Sequence, residues 1–214
     1  MGNNFYRYAA GCRGQLFTGG SRSLDGMVMA MDLGNTKVQL VAAQEGFEDD
    51  ELFISEDVFS EAGAFVDIAS NDTVTAHGLH DGEVDPDIAI WKIDIDSLDA
   101  LVIAGGTGAI SHLWANPQLL DKVREADAKG KIIGAIGLAG VVLAQAGVLE
   151  GRRATVTRNE VAIAEYRRHG VDYEDADTVI DGDIITARDV KSAKLLAELI
   201  VGQIKARKAM PAEH

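Results

Sequence analysis

From Lys131 to Ala144 the chain reads Lys-Ile-Ile-Gly-Ala-Ile-Gly-Leu-Ala-Gly-Val-Val-Leu-Ala, and this stretch constrains the fold more than any other. Lys131–Ile136 is too short for a helix and apolar at successive rather than alternate positions, as expected of a strand covered on both faces. Gly137 breaks the run, and small residues from about Leu138 to Ala146 read as a buried helix. The apolar run Ile132–Leu149, interrupted only by Gln145, is eighteen residues long and so touches the lower limit for a membrane span. Gly134, Gly137, Gly140 and Gly147 divide it into strand, corner and short helix instead. In α/β hydrolytic folds such a strand–turn–helix corner raises a Ser or Cys nucleophile above the sheet. Here the corner residue is Gly137, with no side chain.

The same punctuation continues along the chain from Lys37. Val38–Ala43 reads as a buried strand. Glu48–Ala62 reads as an amphipathic helix with Leu52, Phe53, Val58, Phe59 and Ala62 inward and Gly63 just past its end. Phe65–Ser70 is a second strand, and Asn71–Asp96 is irregular and acidic, with a short strand near Ile88–Ile93. Ala100–Ala104 is a third buried strand and runs into Gly105-Gly106-Thr107-Gly108. Asn116-Pro117 opens a helix to about Lys129, with Asn as N-cap, Pro at the first helical position and Gly130 as stop. Ala154–Thr157 reads as a strand and Asn159–His169 as a helix closed by Gly170. Thr178–Ala187 reads as a hairpin turning at Asp181-Gly182, and Asp189–Arg207 as a final amphipathic helix.

Strands alternating with helices through short connections predict an α/β fold: a flavodoxin-like three-layer sandwich, its mostly parallel sheet flanked by helices on both faces. The expected organisation is an irregular extension over residues 1–35, one domain over 36–208 and a tail over 209–214. The first segment is rich in Gly, Ser and Arg and has no acid before Asp25, so a targeting peptide is one reading of it. A flexible extension, or a start placed upstream of Met27, Met29 or Met31, is the favoured one.

The charge balance narrows the partners. The chain carries a net charge of −14, and residues 1–36 total +1, so the remaining body is at −15. Such a body repels nucleic-acid phosphates and anionic membrane, and neither partner is expected. The single cysteine, Cys12, precludes an internal disulfide and lies in an irregular stretch with no activating neighbours. With no apolar secretory core ahead of the domain, a cytoplasmic location is expected.

In an open parallel sheet the ligand crevice lies beyond the carboxyl ends of the strands. Three loops can reach it: Gly46–Glu51, Gly105–Gly108 and Gly137–Gly140. In this order and spacing, with the text KVQLVAAQEGFEDDELFISEDVFSEAGAFVDIAS, LDALVIAGGTGA, NPQLLDKVREADAKGKIIGAIGLAGVVLAQAGVLEGRRATV and VIDGDIITAR, they resemble the ThiJ/PfpI family of the class I glutamine-amidotransferase-like superfamily over about Lys37–Ile204. The resemblance implies that Glu51, with Glu48 one turn away, is the acid that hydrogen-bonds a nucleophilic cysteine. It also implies that Gly105 and Gly106 offer backbone N–H groups to an oxyanion. The family's elbow reads Ala-Ile-Cys-His-Gly-Pro or Ala-Ile-Cys-Ile-Ala-Pro, and here Ala135-Ile136-Gly137-Leu138-Ala139-Gly140 stands in its place. Gly137 therefore falls on the cysteine position and Leu138 on the adjacent histidine position. Thiolate chemistry is not expected, because backbone cannot replace the reacting sulfur.

The expected site is thus a residual pocket of Glu48, Glu51, Gly105, Gly106, Thr107, Gly137 and Leu138, with His112 overhanging it. It can hold a small polar or anionic molecule, or only water, and Glu51 could act as a base on that water. His77, His80, Asp81 and Glu83 have a spacing compatible with a metal, yet His77-Gly78 and Asp81-Gly82 read better as turns. No metal and no cofactor is expected. Ser111 and His112 are adjacent, so their side chains diverge rather than form a dyad. Trp91, Trp114 and Tyr166 read as packing residues, and the stripe Val190, Ala193, Leu196, Ala197, Ile200, Ile204 as core or a subunit contact. The family habit implies a homodimer or higher homo-oligomer. The expected function is a noncatalytic ligand-binding or protective protein. The alternative is a PfpI-type hydrolase, protease or lyase-like enzyme working through Glu51 and water.

Overall fold

Leu33 to Ala209 are the residues that the structure, a computed structural model, describes. Strand β1 (Lys37–Val41) leads through a short β2 (Glu45–Phe47) into helix α1 (Asp49–Glu61), and β3 (Phe65–Ser70) follows. Three short strands, β4 (Ala76–Gly78), β5 (Glu83–Val84) and β6 (Ile88–Ala89), precede β7 (Ala100–Ile103). Helices α2 (Gly108–His112) and α3 (Pro117–Ala128) lead to β8 (Ile132–Ile136), and a single 3-10 turn, Gly137–Ala139, leads on into α4 (Gly140–Ala146). Then come β9 (Arg153–Ala154), α5 (Glu160–Arg168), β10 (Asp172–Tyr173), the pair β11 (Thr178–Asp181) and β12 (Ile184–Ala187), and α6 (Ala193–Ala209).

The main sheet has the order β11-β12-β8-β7-β1-β3-β6. Every neighbouring pair is parallel except β11 with β12. Helices α1 and α6 pack together on one face, and α3, α4 and α5 on the other. The fold is therefore the flavodoxin-like α/β sandwich expected from the strand–helix alternation. Strands β7 and β8 are buried at every position, which is why their sequences are continuously apolar. Gly134 in β8 makes room for α6: a Cβ there would come within 2.8 Å of Ile200 Cδ1.

The local signals act as read. Asn116 caps α3 by accepting from Leu119 N–H at 3.0 Å, and Asn159 caps α5 by accepting from Val161 and Ala162 N–H. Gly130 and Gly170 take φ of 62° and 69° beyond their helices, the left-handed conformation that ends a helix.

Four expectations are corrected. Leu33, assigned above to the extension, is 2% exposed in the core, and its N–H bonds Ala62 O at 2.9 Å. Helix α6 runs through Ala209, one residue into the expected tail. Of the segment read as a strand over Ala154–Thr157 only Ala154 is in a strand, as the second residue of β9, which pairs with β10 in a separate two-stranded sheet, because Arg153 and Ala154 alone find ladder partners. The β11–β12 turn consists of Gly182-Asp183 rather than Asp181-Gly182, since Asp181 still pairs with Ile184. The region 71–96 also holds β4 and β5, which join β2 in a three-stranded sheet, β2-β4-β5, that periodicity did not reveal because its strands are two or three residues long.

Candidate functional site

The carboxyl ends of β1, β7 and β8 bring their loops together as expected. Glu48 N–H donates to Gly105 O at 3.1 Å, tying the start of α1 to the glycine loop. Gly105 N–H donates back to Glu51 Oε2 at 2.8 Å. The contacts leave no space for side chains. A Cβ on Gly105 would lie 2.6 Å from Ile136 O, and one on Gly106, where φ is +95°, would lie 2.4 Å from Gly46 O and Glu48 N. These backbone neighbours cannot swing away, so both positions require glycine.

Gly137 has φ of +59°, which places the corner in the left-handed region. A Cβ built on it would lie 2.8 Å from Glu51 Oε1 and 3.3 Å from both Glu51 Oε2 and Thr157 Oγ1. Glu51 is 4% exposed. Burial pushes its carboxyl up to about 8 against the Gly105 N–H, and the negative charges of Glu48 and Asp189 push it the same way. At neutral pH it is a protonated acid. Because Oε2 accepts the Gly105 N–H, the proton belongs on Oε1, the oxygen facing Gly137.

The other expected residues are placed as follows. Glu48 Oε1 lies 3.3 Å from His80 Nε2 and is the partner of that histidine rather than of Gly137. His77 Nδ1 faces Glu83 at 3.5 Å, so the two histidines serve different carboxylates. Among the described residues no cluster of three His, Cys, Asp or Glu could hold a metal ion. Thr107 is exposed at the start of α2 and its side chain makes no capping hydrogen bond. His112 closes α2 half-buried; its carbonyl accepts from Asn71 Nδ2 at 3.0 Å, and among the described residues no hydrogen bond or ion pair links its ring to the corner. Leu138 is buried and its carbonyl accepts from Trp114 Nε1 at 2.8 Å, so Trp114 braces the corner as well as packing.

Two expectations about the site change. The Gly105 N–H is engaged by Glu51 and is not free for an oxyanion. The corner is followed by a 3-10 turn and a seven-residue α4, too short to act as a strong helix-dipole anion site. Sequence reasoning missed Thr157 and Asp189, which come from beyond β9 and β12. Only the tertiary fold brings them to Gly137 and Glu51. A surface depression of about 300 Å³ between α3, α4 and α5, lined by Ala115, Leu120, Gln145, Glu165, Arg168 and His169, shares no residue with this site. The converging buried acid, glycine loop and corner make the elbow the stronger candidate.

A parallel α/β sandwich with a glycine loop and a buried acid against a strand–helix elbow defines the class to which this protein belongs. The DJ-1/PfpI family model matches residues 36–203, and the chain belongs to that family. It is 38% identical over 164 residues to an uncharacterised protein of Methanocaldococcus jannaschii, covering 77% of this chain and 80% of that one. It is 32% identical over 152 residues to a Thermococcus kodakarensis protein named a deglycase, covering 70% and 88%. The crystal structure of a ThiJ/PfpI domain protein from Brachyspira murdochii superposes with a TM-score of 0.76 at 28% identity, over 81% of this chain and 99% of that one.

Proposed function

We propose that this DJ-1/PfpI-family protein is a noncatalytic small-ligand-binding or protective member, whose elbow holds a small polar molecule where relatives would carry a cysteine. One observation supports this reading most directly: the buried, protonated Glu51 carboxyl faces Gly137, a residue with no side chain to receive its hydrogen bond. The only cysteine in the chain, Cys12, lies outside the described residues. The alternative, a PfpI-type hydrolase, protease or lyase-like enzyme using Glu51 as a base on water, needs an ionised Glu51. That form is the minority below about pH 8. A cytoplasmic homodimer or higher homo-oligomer belongs to the same reading; no helix among the described residues is long and apolar enough to cross a membrane.

The test compares the natural protein with Gly137→Cys on methylglyoxal and on a generic peptidase substrate. The substitution introduces strain, because φ is +59° at Gly137 and a Cβ there would lie 2.8 Å from Glu51 Oε1, so the melting temperature of the variant is measured beside its turnover. Turnover by the cysteine variant alone is the expected result. Turnover by the natural protein that rises through pH 8 and vanishes in Glu51→Gln would overturn the noncatalytic reading.

A further inference from the structure

We infer that Thr157 and Glu51 together form a paired acceptor and donor that selects a neutral molecule carrying a carbonyl beside an N–H or O–H, with a primary amide the simplest case, over the corresponding carboxylate anion. The inference rests on the binding reading above and specifies its ligand.

The direction of each hydrogen decides what Thr157 and Glu51 offer. Thr157 Oγ1 donates its hydrogen to Arg188 O at 3.0 Å. Its lone pairs are then what it offers toward Gly137, where it lies 3.3 Å from the point at which a Cβ would sit. Glu51 is the opposite case. Its Oε2 is occupied by the Gly105 N–H, and its Oε1, 2.8 Å from the same point, makes no hydrogen bond among the described residues. A carboxyl with one oxygen accepting and the other carrying the proton presents a donor to that space. One wall therefore accepts and the other donates. A primary amide satisfies both, its carbonyl taking the Glu51 proton and its N–H meeting Thr157. A carboxylate has no hydrogen for Thr157 and would set lone pair against lone pair.

The surrounding charges point the same way. The charged groups that act on Glu51 are Glu48 and Asp189, both negative. Their partners, His80 at 3.3 Å and Arg188 at 3.2 Å, face those two carboxylates. An anion entering the site would add to an excess of negative charge, whereas a neutral molecule would not.

Acetamide and acetate are nearly isosteric and separate the two chemistries. Titrations at pH 7, followed by amide chemical shifts at Gly106, Gly137 and Leu138, should show acetamide binding roughly ten-fold tighter than acetate, the cost of one unmet buried polar group. Thr157→Val should abolish that preference, and Thr157→Ser, which keeps the hydroxyl, should retain it. Equal melting temperatures for the natural protein and both variants would separate binding from folding. Raising the pH past 8 should weaken acetamide in the natural protein as Glu51 ionises. Acetate binding as tightly as acetamide, or a preference unchanged in Thr157→Val, would overturn this inference and leave the binding reading standing. No shift with either molecule would overturn both.

Discussion

Because burial raises the Glu51 carboxyl from 4.5 to about 8, the folded chain keeps a proton that the unfolded chain releases across that interval. The contribution of this group to stability is therefore fully present below pH 4.5 and is lost as pH rises to about 8. The expected slope is about 1.4 kcal/mol per pH unit within the window. Urea midpoints measured from pH 5 to 9 should fall for the natural protein relative to Glu51→Gln, which has no such proton to hold, with the difference levelling above pH 8. Parallel curves would show that Glu51 is already ionised in the folded state. At this scale Glu51, Gly105, Gly106 and Gly137 are named from the resemblance of their loops to the ThiJ/PfpI family. Which oxygen of Glu51 faces the corner cannot be read that way, because it depends on the 2.8 Å bond from a residue 54 positions away.

At the scale of elements, the turn between β4 and β5 is held by Asp49, the first residue of α1. Asp49 is 7% exposed, and its carboxylate accepts from Gly82 N–H at 2.6 Å and His80 N–H at 3.1 Å. Asp81 turns back there with φ of 63°. A Cβ on Gly78 or Gly82 would meet that carboxylate within 2.3 Å and force Asp49 out of these two hydrogen bonds. This grip is what brings His80 over Glu48 at the mouth of the site. Asp49→Ala should cost about 2 kcal/mol through the two orphaned N–H groups. Amide exchange at His80 and Gly82 should accelerate well beyond that of the β7 and β8 amides. Uniform acceleration would mean that the turn and the core open as one unit. The helices were legible from caps and periodicity, since an N-cap asparagine and a terminal glycine act within a few residues. The sheet β2-β4-β5 was not, because strands of two or three residues carry no period to read.

Across the whole molecule, the −14 charge works against compaction even though most carboxylates lie on the surface. Screening should relieve it: unfolding midpoints in urea at pH 7 should rise as sodium chloride goes from low to moderate concentration, and a falling midpoint would show that the surface ion pairs outweigh the repulsion. The parallel order of the sheet was foreseeable from continuously apolar strands alternating with capped helices, because only a sheet covered on both faces buries such strands. The detour of β9 into its own small sheet was not foreseeable, because pairing depends on which backbone partners lie within reach.

By itself, the sequence determined what acts locally: the strand–helix alternation, the caps, the glycines at loop ends and the absence of a side chain at position 137. Tertiary structure alone decided what acts across distance. It placed Thr157 and Asp189 against an elbow far from them in the chain, removed the Gly105 N–H from any ligand, and buried Glu51 deeply enough to keep its proton. The physical reason is that propensity and periodicity are set by near neighbours along the chain. Desolvation and hydrogen-bond pairing are set by neighbours in space.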